Sequence, residues 1–140
     1  MQAGLRILNI PTTRMFTTEK RMPAYVIGLL TDVDFNAEII EYIRTIESTM
    51  KPYDGRFIVH GAHAEVLEGT MNQDCIIAAF PSIDHARRWY ASDAYGKLIP
   101  LRTRNSKGAI FLIDGVSDHY SASMFIDKMT GANPVQDRVA

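Results

Sequence analysis

A chain of 140 residues with 46% hydrophobic and 22% charged side chains has the composition of one ordinary globular domain. That mix excludes a disordered tail, a collagen and a small disulfide scaffold. A formal net charge of -1 supplies no overall positive field for nucleic acid or an anionic membrane, so neither is expected as a partner. The longest apolar runs, such as 24–30, fall far short of the roughly 20 residues that span a bilayer. The single cysteine, Cys75, cannot form an internal disulfide, which fits a reducing, cytoplasmic compartment.

Residues 1–21 hold Arg6, Arg14, Lys20 and Arg21 against one acid, Glu19, without sustained periodicity. They read as an N-terminal arm, and Met22-Pro23-Ala24 would itself make a natural beginning. The apolar patch 5–10 is too short for a signal peptide, and the segment lacks the serines of a transit peptide. Residues 24–30 form a short run of strand formers ended by Thr31-Asp32. A helix follows from about Asn36 to Met50. At about 100° per residue, Phe35, Ile39, Tyr42, Ile43, Ile46 and Met50 share one arc. Glu38, Glu41, Arg44 and Ser48 lie opposite, with Arg44 spaced to pair with Glu41 or Glu47. Pro52 ends the helix.

Tyr53-Asp54-Gly55 supplies a turn, and residues 56–60 read as a strand. Gly61 and Ala62 interrupt it, and 63–67 is expected to continue extended to the Glu68-Gly69 turn. Residues 75–80 form another apolar strand. Pro81-Ser82 opens a second helix with Ser82 as N-cap, burying Ile83, Ala86, Trp89 and Tyr90 on one face. Ser92 caps a short helix limited by Gly96 or Pro100. Residues 109–113 make the last strand. The tail, 117–140, carries one apolar cluster, Met124-Phe125-Ile126, by which it is expected to dock, fraying beyond Gly131.

The order β-α-β-β-α-β predicts an α+β, ferredoxin-like subunit spanning 22–116, with one antiparallel sheet and both helices on one face. Three of the strands are nearly continuous apolar runs, without the alternation of a sheet with one wet face. The face without helices therefore needs a cover, and a second copy of the same face supplies it. A homodimer is expected.

Phe80-Pro81-Ser82, Ala86, Trp89-Tyr90, Ser92, Tyr95 and Arg102 stand at the spacings F-P-S-x3-A-x2-W-Y-x-S-x2-Y-x6-R. Tyr53-x-Gly55-Arg56-Phe57, Gly61 and Glu65-Val66-Leu67-Glu68-Gly69 precede them in order. Over residues 22–116 the chain resembles the domain-of-unknown-function 1330 family of the dimeric α/β-barrel superfamily. The resemblance implies a ferredoxin-like subunit whose sheet packs on a second sheet as a dimeric α/β barrel. It implies no activity. Where the family usually shows Arg-Gly-Gly, this chain has His60-Gly61-Ala62, and the arm and tail lie outside the family pattern.

His60 and His63 are the candidate general bases, since histidine exchanges protons near neutral pH. In a regular strand they would point to opposite faces, although a break at Gly61-Ala62 could bring them together. Neither a cysteine nor a carboxylate stands at ligand spacing, so no metal and no cofactor is expected. Arg102 and Arg56 are the candidates to hold a carboxylate, enolate or phosphate, because a guanidinium offers two parallel donors. Arg102 is favoured by its place in the motif. From Arg87 to Lys107 six bases face one acid, Asp93, while the first helix is acidic, which suggests complementary surfaces on the dimer. Trp89, Tyr90, Tyr95 and Tyr53 complete the candidate ligand-binding set, the first two as core or pocket wall and the others at element ends. His85 is expected to stack on Trp89 at the helix surface, and Cys75 to be a buried, inert thiol.

These residues describe a cytoplasmic homodimer with a small-molecule pocket between sheet and helices. The leading expectation is a cofactor-free enzyme of isomerase, decarboxylase or monooxygenase type acting on a small anionic or cyclic metabolite. The competing expectation is a non-catalytic dimeric ligand-binding or protein-interaction module.

Overall fold

The computed structural model describes residues 22–131. Strand β1 (Ala24–Thr31) leads into helix α1 (Ala37–Met50), and a 3-10 turn at Lys51–Tyr53 then delivers strand β2 (Arg56–Val59). Strand β3 (Asp74–Phe80) is followed by helix α2 (Ile83–Tyr90) and two short helices, α3 (Asp93–Gly96) and α4 (Ile99–Thr103). Strand β4 (Lys107–Asp114) and helix α5 (Ala122–Thr130) complete the described chain. The four strands lie antiparallel in the order β2-β3-β1-β4, the ferredoxin-like arrangement.

The helices start where side chains replace missing backbone partners. The Asn36 side chain accepts from the backbone N–H groups of Glu38 and Ile39, Ser82 from that of His85 and Ser92 from that of Tyr95. α1 buries Ile39, Ile46 and Met50, the arc its periodicity marks. These meet Val26 and Ala78 of the sheet and Phe80, Ala86, Trp89, Tyr95 and Leu98 in one core. The indole N–H of Trp89 donates to Thr49 Oγ1 at 2.9 Å, so the largest core side chain leaves no polar atom unsatisfied. α4 went unread in the sequence. Pro100 lies in its first turn, where a missing N–H costs nothing.

Register assigns the two sheet faces. Val26 stands opposite both Ala78 and Leu112 on the helix side. Ile27 stands opposite Ile77 and Phe111 on the other. This second face also carries Tyr25, Leu29 and Ile113, and no described helix covers it. Phe111 is 39% and Ile113 48% exposed.

Three expectations need correction. Residues 63–67 form an exposed irregular loop, because Gly61 (φ 91°) turns the chain away after the β2–β3 ladder ends at Val59 and Ile77. Arg44 makes no ion pair among the described residues; Glu41 instead accepts from Thr45 Oγ1 at 3.0 Å. Met124, Phe125 and Ile126 stay exposed on α5, which has no buried residue. The arm 1–21 and the end of the tail lie outside the described residues.

Candidate functional site

A cavity of about 280 Å³ lies between the sheet and α1. Val26, Gly28 and Leu30 of β1 with Ile76 and Ala78 of β3 form its floor, and Ile39, Tyr42, Ile43 and Ile46 of α1 its roof. Trp89, Tyr95 and Arg102 line it from the helical side, and His60 and His63 from the loop that follows β2. The structure thus gathers His60, His63, Trp89, Tyr95 and Arg102 around one space.

Arg102 is only 8% exposed, and its Nε has no hydrogen-bond partner among the described residues. The two ion pairs among those residues join other groups, so no carboxylate neutralises this guanidinium. Its nearest polar company is a pair of phenols: the hydroxyls of Tyr42 and Tyr95 share a hydrogen bond of 2.7 Å. Tyr95 is held in turn by Trp89, their ring centroids 4.1 Å apart. Burial acts to lower the Arg102 pKa, but the Tyr95 and Tyr42 oxygens raise it and prevail, so the group stays cationic. Burial, reinforced by Tyr95, pushes the Tyr42 phenol well above its ordinary range, so it remains a neutral donor. A buried cation with an unused N–H is costly without an anion. Here it lines a cavity that can admit one.

The two imidazoles reach the cavity through a break in strand regularity. Arg56 and Phe57 stand opposite Ala79 and Ala78, but the next pair is Val59 with Ile77. Ile58 is therefore a bulge, which shifts the later side chains by one place. His60 returns to the helix side and stacks on Phe57, centroids 4.5 Å apart at 21°. Gly61 then turns the chain, and His63 comes back to the same space. The opposite-face expectation for a regular strand is corrected by this bulge.

Three candidates are not brought to the cavity lining. Arg56 is exposed and shares the uncovered face with Ala79. Tyr53 packs at the edge of the core, and Tyr90 is exposed with its ring against Trp89 and Tyr95. Cys75 is half-buried opposite Leu29, not fully enclosed. His85 bonds Ser82 Oγ through Nδ1 at 2.7 Å. Most of the cavity lining escaped the sequence reading as site residues, Asp74, Tyr42 and Gly28 among it. Tyr42 was placed only on the apolar arc of α1. Gly28 carried a usable signal, since a glycine inside an apolar strand marks close approach.

A polar clasp ties the cavity rim to the helix bearing Arg102. Arg104 Nη2 donates to Glu38 Oε2 at 2.6 Å, Asn105 Nδ2 to Glu38 Oε1 at 2.8 Å and Asn36 Nδ2 to Asn105 Oδ1 at 2.6 Å. At Arg104 the basic segment therefore meets the acidic helix within the same chain. Val33 and Phe35, in the loop secured this way, line the cavity. Hydrogen bonds from Arg104 and then Asn105 hold the Glu38 carboxyl below its ordinary pKa of 4.5. A lowered folded-state pKa stabilises above the ordinary glutamate range and is lost as pH falls through the lowered value. Urea denaturation of wild type and Glu38→Gln should show wild type ahead at about pH 7 and the gap closing as pH falls below the ordinary glutamate range. A gap independent of pH would exclude the carboxylate as its source.

Among the described residues no cluster of three or more His, Cys, Asp or Glu side chains could hold a metal ion. Nor is any described helix long and apolar enough to cross a membrane. The fold is similar to that of RPA0582, a protein of unknown function from Rhodopseudomonas palustris. The TM-score is 0.53 at 14% identity, covering 79% of this chain and 94% of that one. The methylated form of RPA0582 gives a TM-score of 0.54 at 12% identity, covering 79% of this chain and 93% of that one. At such identity the likeness speaks for the fold alone. No curated protein matches the chain at a significant level. The model of the family described as "Domain of unknown function (DUF1330)" matches residues 23–116, a segment that contains every described strand and every residue lining the cavity. On that match the chain belongs to the DUF1330 family.

Proposed function

We propose that this protein is a cytoplasmic homodimer whose cavity binds a small anionic or cyclic metabolite, and that it acts on this ligand as a cofactor-free enzyme. The observation that carries the reading is Arg102, buried and without a counter-ion in a cavity that also receives two imidazoles. His60 or His63 removes a proton from a carbon beside a carbonyl group. The electron pair moves onto the carbonyl oxygen, and Arg102 with a neutral phenol stabilises the resulting enolate. When the substrate is a β,γ-unsaturated carbonyl compound, return of the proton to the γ-carbon, as the carbonyl re-forms and the double bond moves into conjugation, completes an isomerisation that needs no other reactant. The homodimer rests on the uncovered apolar sheet face, which a second copy buries against its own. The single cysteine accords with a reducing compartment.

A second reading, a non-catalytic ligand-binding module, is favoured by one observation. Among the described residues the hydrogen-bonded imidazole is His85, so no side-chain hydrogen bond orients His60 or His63 as catalytic bases usually are. A thermal-denaturation panel of small carboxylates, lactones and phenols, followed by a turnover screen on each ligand found, separates the two. A ligand at 100 times its Kd adds about 2.7 kcal/mol, read as a rise of several degrees. For an enzyme, His63→Ala or His60→Ala keeps that rise and abolishes turnover. Binding without turnover of any ligand found favours the module. No rise with any compound refutes both.

A further inference from the structure

The polar side chains around the cavity come from two sides. His60, His63 and Asp74 belong to β3 and the loop before it, whereas Tyr42, Tyr95 and Arg102 belong to the helices. The helical group has more donors than acceptors. Each phenol carries one O–H, and the bond of 2.7 Å between Tyr42 and Tyr95 uses one of the two. Neither hydroxyl has another partner among the described residues, and the Arg102 guanidinium beside them can only donate. The Trp89 N–H, on the same side, is already given to Thr49. One phenolic O–H is therefore left without an acceptor.

Burial decides which phenol carries it. Tyr95 is 1% exposed, its ring enclosed by those of Trp89, Tyr90 and Tyr42. Tyr42 is only half-buried and lines the cavity from α1. Tyr95 accordingly donates to the Tyr42 oxygen, which leaves the Tyr42 O–H free to turn to the cavity. A hydroxyl whose oxygen accepts a hydrogen bond is itself the stronger donor.

We propose that the Tyr42 hydroxyl is the anchor for a ligand oxygen that carries or gains negative charge, either a carbonyl becoming an enolate or the oxygen of a phenol. This rests on the pocket reading above and deepens it. Tyr42 touches the ligand oxygen, and Tyr95 is the residue that positions it. Arg102 supports the pair, its charge beside both phenol oxygens favouring negative charge at this end of the cavity.

Titration of full-length wild type, Tyr42→Phe and Tyr95→Phe with para-nitrophenol tests this, because the colour of the probe reports ionisation of the anchored oxygen. The pH is held below the pKa of the free probe, which is then mostly neutral and colourless. Binding to wild type is expected to raise the phenolate absorbance, since a donor at the oxygen stabilises its anion. Tyr42→Phe is expected to lose that rise and to bind about tenfold more weakly. Tyr95→Phe keeps the Tyr42 hydroxyl, so the rise persists and affinity falls by no more than about threefold. Binding to wild type without a rise, or a rise that Tyr42→Phe retains, would overturn the assignment while the pocket reading stands. If para-nitrophenol does not bind but another compound of the panel above does, the inference falls alone. If no compound binds, both fall.

Discussion

Arg102→Met is expected to stabilise the ligand-free protein by about 1–3 kcal/mol, a rise of several degrees in the unfolding midpoint. Truncating or exchanging a side chain that is 8% exposed ordinarily costs stability. Here the sign reverses because the guanidinium is buried without a carboxylate and with Nε unsatisfied. Methionine keeps the unbranched apolar stem and removes the charge. The change takes the guanidinium from the Tyr95 and Tyr42 oxygens but leaves no neighbour without a partner. Tyr42 and Tyr95 retain each other at 2.7 Å, and the side chains of Asn105 and Ser106 bond the carbonyls of Leu101 and Arg102, not the guanidinium. A functional group held at the expense of stability behaves this way, whereas a structural arginine does not. Urea denaturation of the two proteins reads the sign directly.

Phe111→Arg is expected to convert the protein from twice its chain mass of 15.7 kDa to that mass in sedimentation at micromolar concentration. Phe111 stands opposite Ile27, and Ile27 opposite Ile77, so these three form one row across the uncovered face. In the single subunit Phe111 is 39% exposed, and an arginine there can reach water without disturbing the core. In a sheet-on-sheet dimer the same arginine would be buried facing an apolar surface, at a cost of several kcal/mol for each copy. Association is lost while each subunit keeps its fold, which circular dichroism verifies. A wild-type protein that sediments as a single chain would contradict the dimer. So would a Phe111→Arg protein that still sediments at twice that mass.

The parts of this structure legible in the sequence are those decided by local pattern. The apolar runs of β1, β3 and β4 and the arc of α1 are periodicities of one element, and Ser82 and Ser92 are caps that act on residues three positions away. The spacing from Phe80 to Arg102 was legible as a motif, and the structure gives it a physical content. Phe80, Ala86, Trp89 and Tyr95 pack as one core cluster, and Arg102 lines the cavity beside them. What local pattern does not carry is where two distant segments meet. Tyr42 joins the site through Tyr95, 53 residues away, and on its own helix looks like any core aromatic. The side of the sheet that His60 takes depends on a bulge at Ile58, a feature of the pairing between β2 and β3 and not of β2 alone. Arg56, read as a second anion holder, lies one place before Phe57 and so on the opposite face. Arg44 and the tail cluster failed for a different reason: exposed charges and apolar side chains have no partner that their own spacing can guarantee.

The most direct measurement is the urea denaturation of wild type and Arg102→Met, each with and without the panel carboxylate that binds wild type most tightly. The account predicts a crossing. Without ligand the variant is the more stable protein, and with the carboxylate the wild type gains stability while the variant gains none. A variant less stable than wild type in buffer, with both proteins responding equally to the carboxylate, would show that Arg102 is a structural side chain and that the cavity is not an anion site.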